Sequence, residues 1–70
     1  MDEARLMVEN GYKKVNDPSY KEWWAKDDEN GEYSFIKLYH HGHIEVFGTI
    51  KEAEIMLEYA KWLKDFDECL

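Results

Sequence analysis

Between Tyr33 and Leu70 the apolar pattern changes period once, at Phe47-Gly48-Thr49, and that change leaves few folds open. Before it, apolar side chains alternate as on a strand; after it they recur at steps of three and four, as on a helix. Thr49 followed three residues later by Glu52 is a capping box, in which each side chain satisfies an orphan backbone N–H of the first helical turn. A β-hairpin therefore runs without a linker into a long C-terminal helix over residues 50–67.

Gly42 marks the hairpin turn, and face chemistry chooses its loop length. A two-residue loop, His41-Gly42, sets Tyr39 opposite Ile44 and Leu38 opposite Glu45, mixing aliphatic and charged groups on both faces. A three-residue loop, His40-His41-Gly42, with Gly42 left-handed, pairs Tyr39 with His43, Lys37 with Glu45 and Phe35 with Phe47. Only the second separates an aliphatic face of Ile36, Leu38, Ile44 and Val46 from a face of aromatic and opposite-charge pairs.

The helix carries two apolar stripes. Ala53, Met56, Leu57, Ala60 and Leu63 suit the aliphatic sheet face, while Ile55, Tyr59, Trp62 and Phe66 lie about 100° further round. An uncovered second stripe exceeds the apolar area a monomer normally exposes. The expected cover is a short helix over residues 2–10, with Asp2 as N-cap, Ala4, Met7 and Val8 on one face, and Gly11 at the C′ position.

Pro18 closes a turn at Asn16–Ser19 and forces Asp17 out of helix. Tyr12–Val15 is too short to assign. Residues 20–26 read as the first long strand, and Asn30-Gly31 is the strongest hairpin signal before the second, residues 33–39; the third spans 43–47. A two-residue turn there pairs Ala25 with Ile36 and Trp23 with Leu38 on the helix-covered face. Trp24 then faces out beside Phe35. The expectation is a single α+β domain over residues 1–70, ordered α-β-β-β-α, with a three-stranded antiparallel meander on the long helix.

That order resembles the topology of the double-stranded-RNA-binding domain, and Lys51-Glu52-Ala53 stands near the start of the last helix, where that family has its basic motif. Here Ile50, Lys51, Glu52 and Glu54 occupy the region of the lysine cluster, so phosphate binding does not follow from the resemblance. The formal net charge of −7, from 16 acidic against 9 basic residues, also opposes direct nucleic-acid binding. It favours solubility or a basic protein partner.

At 70 residues a single core is barely sufficient, and the 16% aromatic content compensates without metal or disulfide. One cysteine, Cys69, forms no internal disulfide, and no apolar run spans a membrane or serves as a signal-peptide core. A cytoplasmic protein is expected.

His40, His41 and His43 share a hairpin tip and are the metal candidates, for a zinc, copper or nickel site with Glu45 or another subunit; turn geometry does not require their rings to converge. Asp27, Asp28, Glu29 and Glu32 crowd the other tip. Aligning Gly31 with a calcium loop puts Lys26 and Lys37 at ligand positions, which rules that loop out. No nucleophile, phosphate-cradling or HExxH motif appears, so no enzymatic activity and no cofactor are expected.

What remains is surface. Trp24, Phe35, Tyr39 and Phe47 on the open sheet, Tyr59, Trp62 and Phe66 on the helix, and Asp27, Asp28 and Glu29 at the acidic tip form the candidate partner-binding set. The expected function is a small acidic module that binds a protein partner or forms a homodimer, a kind of chain suited to a phage or mobile-element inhibitor of a host nuclease or defence protein. Lys51, Lys61 and Lys64, interleaved with acids on the last helix, argue against nucleic-acid mimicry. The alternative is small-ligand or metal binding by the aromatic face and the histidine tip.

Overall fold

The computed structural model describes residues 3–27 and 33–68, the helix after Leu63 by its backbone alone. Helix α1 (Glu3–Glu9) leads into strands β1 (Lys13–Lys14), β2 (Glu22–Asp27), β3 (Tyr33–Leu38) and β4 (Ile44–Phe47), and helix α2 (Ile50–Glu68) closes the order. The expected α+β domain is present, with one strand more than the sequence pattern indicates. The sheet is antiparallel and ordered β1-β2-β3-β4.

Helix α1 ends as its glycine requires. Gly11 has φ 88°, its N–H donates to the Val8 carbonyl at 3.0 Å, and the Tyr12 N–H donates to the Met7 carbonyl at 3.0 Å. This Schellman arrangement turns the chain so that Met7 and Tyr12 both enter the core. The next two residues then add the extra strand, pairing Lys13 with Ala25 and Lys14 with Trp24. The Asp2 cap expected from the sequence lies outside the described residues.

The β3–β4 hairpin has the expected register, Phe35 opposite Phe47 and Lys37 opposite Glu45. Gly42 is left-handed at φ 97°, and the Tyr39 N–H donates to the His43 carbonyl at 2.9 Å. At the β2–β3 hairpin the sequence reading is off by one residue: Trp24 lies opposite Ile36 and Trp23 opposite Lys37, and pairing closes at Asp27 with Tyr33. A one-residue slip exchanges the two faces of a strand. Trp24 is the buried ring, 4% exposed, and Trp23 belongs to the open face.

Polar residues explain the observed register. With Trp24 inward, Glu22 and Lys26 share its face, and each finds a partner at the core margin. Glu22 Oε1 accepts hydrogen bonds from Tyr59 Oη and, at 2.8 Å, from Trp24 Nε1. Lys26 Nζ stands 2.9 Å from Glu52 Oε2, and Glu52 Oε1 accepts from Tyr12 Oη at 2.6 Å. Half of the capping box is therefore present: Thr49 Oγ1 accepts from the Glu52 N–H at 3.2 Å, while the Glu52 carboxylate ties Tyr12 and Lys26 to α2.

Met7, Tyr12, Trp24, Ile36, Leu38, Met56, Tyr59 and Ala60 form the core, with Ile44, Val46, Ile55 and Leu63 packed against it. Helix α1 covers the Tyr59 side of α2, the role expected of it. Leu57, expected to face the sheet, is instead exposed, because the buried face of α2 centres between Glu52, Met56 and Tyr59. At the β4–α2 join Gly48 has φ 152°, and a Cβ there would approach Ser34 Oγ to 2.8 Å, so the join accepts no larger residue without moving buried Ser34.

These tyrosine–carboxylate clamps give stability a defined pH range. Hydrogen bonds from Tyr12 and Lys26 hold the Glu52 carboxyl below its ordinary 4.5; its contribution is complete above that value and is lost as pH falls through the lowered one. Burial, then the bonds to Glu52 and Glu22, push Tyr12 and Tyr59 well above their ordinary 10.0. Their contribution is complete below pH 10 and is lost as pH rises beyond it. Chemical denaturation against pH should therefore show Glu52→Gln flattening the acid arm and, through Tyr12, lowering part of the alkaline arm, and Tyr59→Phe reducing the alkaline arm without changing the acid one. Each should cost about 1–2 kcal/mol at neutral pH.

Candidate open-face docking surface

Both helices pack on one side of the sheet, which leaves the other to odd-numbered positions of β2, β3 and β4. On that side Trp23, Ala25 and Asp27 lie beside Tyr33, Phe35 and Lys37, and these beside Glu45 and Phe47. The rings of Phe35 and Phe47 stack at 5.6 Å and 14°, and Tyr33 leans on Phe35 at 5.5 Å. Phe47 is 57% and Tyr33 39% exposed. This is the most exposed end of the face.

A second group of rings occupies the other end. Tyr20 meets Trp23 edge-on at 5.4 Å and Tyr39 at 5.2 Å, and Tyr39 continues to His43 at 5.4 Å and His41 at 5.6 Å. Lys37 joins the two groups. Its Nζ stands 4.6 Å from the Trp23 centroid, 4.9 Å from Tyr20 and 5.0 Å from Phe35, contacts that hold a cation over negative ring faces. The Trp23 Nε1 beneath is shut from solvent without a hydrogen-bond acceptor among the described residues.

Glu45, beside Lys37 across the strands, accepts a hydrogen bond from Tyr39 Oη at 2.7 Å. That bond pushes the Tyr39 phenol up to about 12. Along the strands, the level between the aromatic ends thus carries one cation, Lys37, and, on edge strand β4, one anion, Glu45, at paired positions.

The sequence-derived candidates divide accordingly. Phe35, Tyr39 and Phe47 come together on the face. Trp24 does not: it lies in the core against Tyr59, 5.8 Å away and edge-on, because of the register difference. Tyr59 is buried at 2% exposure, and Trp62 is half-buried with its Nε1 donating to Glu58 at 2.9 Å, so the helical stripe is no open surface through Trp62. The Phe66 side chain, Asp28 and Glu29 lie outside the described residues; Asp27 is exposed at the end of β2. Sequence reasoning misses Trp23 as a surface ring, although the alternation Lys21–Trp23–Ala25 against Glu22–Trp24–Lys26, read one residue over, carries the signal.

At the histidine tip His40 stands apart from His41 and His43. His40 Nε2 lies 3.0 Å from the Pro18 carbonyl, and the His41 and His43 rings stack at 6.0 Å. Among the described residues no group of three metal-binding side chains is drawn together. A shallow cleft of about 200 Å³ lies behind this tip, with Leu38, Ile44 and Leu63 as its apolar wall and Glu22, His40 and His43 at its rim. It is smaller than the roughly 300–1,000 Å³ usual for small-molecule sites. Among the described residues no helix is long and apolar enough to cross a membrane.

No family model matches the chain, and neither a curated protein nor a solved structure matches it. The surface itself carries the functional reading.

Proposed function

We propose that this chain is a non-enzymatic protein-interaction module that docks through its open sheet face. The observation that carries this reading is the continuous run of rings from Phe47 and Phe35, across Lys37, to Trp23, Tyr20 and Tyr39, on the side of the sheet opposite both helices. Aromatic anchors within a polar rim are the composition of binding hot spots, and large flat rings lose little side-chain entropy on contact. The rim is supplied by Glu45, Asp27 and Lys13.

Site-specific photo-cross-linking in source-cell lysate tests the reading. A benzophenone side chain in place of Phe47 should give a discrete protein adduct, and the same group in place of exposed Lys61 on α2 should give none. Equal labelling from both positions, or none from position 47, contradicts docking through the sheet.

A further inference from the structure

We infer that the occupant of the open face is a second copy of this chain, packed face to face about a two-fold axis that runs parallel to the strands between β3 and β4. The inference rests on the docking reading above and adds the identity of the partner. Its warrant is the register. Every residue pair directly opposed across β3 and β4 on this face is either aromatic with aromatic or cation with anion: Phe35 with Phe47, and Lys37 with Glu45. Tyr39 and His43, joined by the backbone bond at the loop and 5.4 Å apart as rings, extend the series.

A two-fold axis along the strands preserves height along the strand and exchanges β3 with β4. It therefore sets Lys37 of one copy over the partner's Glu45, Glu45 over the partner's Lys37, and Phe35 over the partner's Phe47. Each cross-strand pair meets its own inverse. This self-complementarity is what an isologous interface requires, and the aligned packing of two sheets, crossed by roughly 30°, keeps the central pairs in register. An axis through β3 itself would instead oppose Lys37 to Lys37, and the charges thus select one arrangement.

The rest of the molecule sets the strength of the pairing. Because β4 is the sheet edge, this axis overlaps only the β3–β4 pair of each copy, an area below that of a stable specific interface, and each copy brings a formal charge of −7. Self-association is therefore weak and reversible, and it strengthens as added salt screens the repulsion between copies. Docking to a basic partner would show the opposite dependence.

Sedimentation equilibrium of Lys37→Glu and Glu45→Lys, alone and mixed, tests the arrangement. Wild type should pass from monomer to dimer with rising concentration, more readily in high salt. Each variant alone places like charges across the axis and should associate at least about tenfold more weakly. An equimolar mixture should recover a heterodimer, because the two carboxylates that the Lys37→Glu chain carries at these positions then face the two ammonium groups of the Glu45→Lys chain. Recovery also shows that both variants are folded. A wild type that stays monomeric up to millimolar concentration overturns the self-pairing and leaves the cross-linking test of the face intact. A dimer indifferent to both substitutions and to Phe47→Glu overturns the self-pairing and the docking face together.

Discussion

Trp24→Ala should remove about 3–5 kcal/mol of folding stability, the usual cost of deleting a buried indole, whereas Trp23→Ala should cost about 1 kcal/mol. The two tryptophans are chain neighbours of identical composition, so only the register distinguishes them. Trp24 is enclosed by Ile36, Met56 and Tyr59 and donates its indole N–H to Glu22. Its removal leaves a cavity that helix and sheet cannot both close, and deprives Glu22 of one of its two donors. Trp23, on the open face, packs against Tyr20 and under Lys37. At about 0.05–0.15 kcal/mol per residue, a domain of this length has roughly 4–10 kcal/mol of stability, so the Trp24 loss takes a large share of it. Urea titration should therefore show the midpoint of Trp24→Ala far below that of wild type and that of Trp23→Ala close to it. The reverse order would establish the register read from Asn30-Gly31.

The second large effect is on binding. Phe47→Glu should weaken docking at least about thirtyfold, the loss expected on removing a hot-spot ring, while changing stability by no more than about 1 kcal/mol. Phe47 stacks on Phe35 yet is more than half exposed, so the folded chain needs it little. An occupant of the face must cover it, and a carboxylate there would be desolvated opposite another ring. Tyr59→Phe makes the complementary control: it weakens the clamp to Glu22 and should leave docking unchanged. Binding measured by titration and stability measured by denaturation on the same samples separate the two effects.

Sequence rules work well in this chain where one local device fixes the outcome. Gly42 at the left-handed loop position, Gly11 at the end of α1 and Thr49 at the start of α2 each stand where backbone sterics or capping demand, and the open β3–β4 face follows from its loop length. The failure at β2 has a specific physical cause. Both registers bury one tryptophan, and a two-residue turn at Asn30-Gly31 selects the one that puts Glu22 and Lys26 outward. The fold instead satisfies both with partners remote in sequence, Tyr59 and Glu52. No local pattern reveals such a pairing. The same remote partnership takes Glu52 from its capping role and brings Tyr12, the residue between the glycine turn and β1, into the core.

Self-pairing through the sheet is tested most directly by amide and indole NMR spectra recorded at rising protein concentration. The expected result is progressive shifts of the Phe35, Lys37, Glu45 and Phe47 amides, with the Trp24 indole and the exposed face of α2 unmoved. Shifts confined to α1 and α2 with β3 and β4 silent, or no shifts at any concentration, would contradict it.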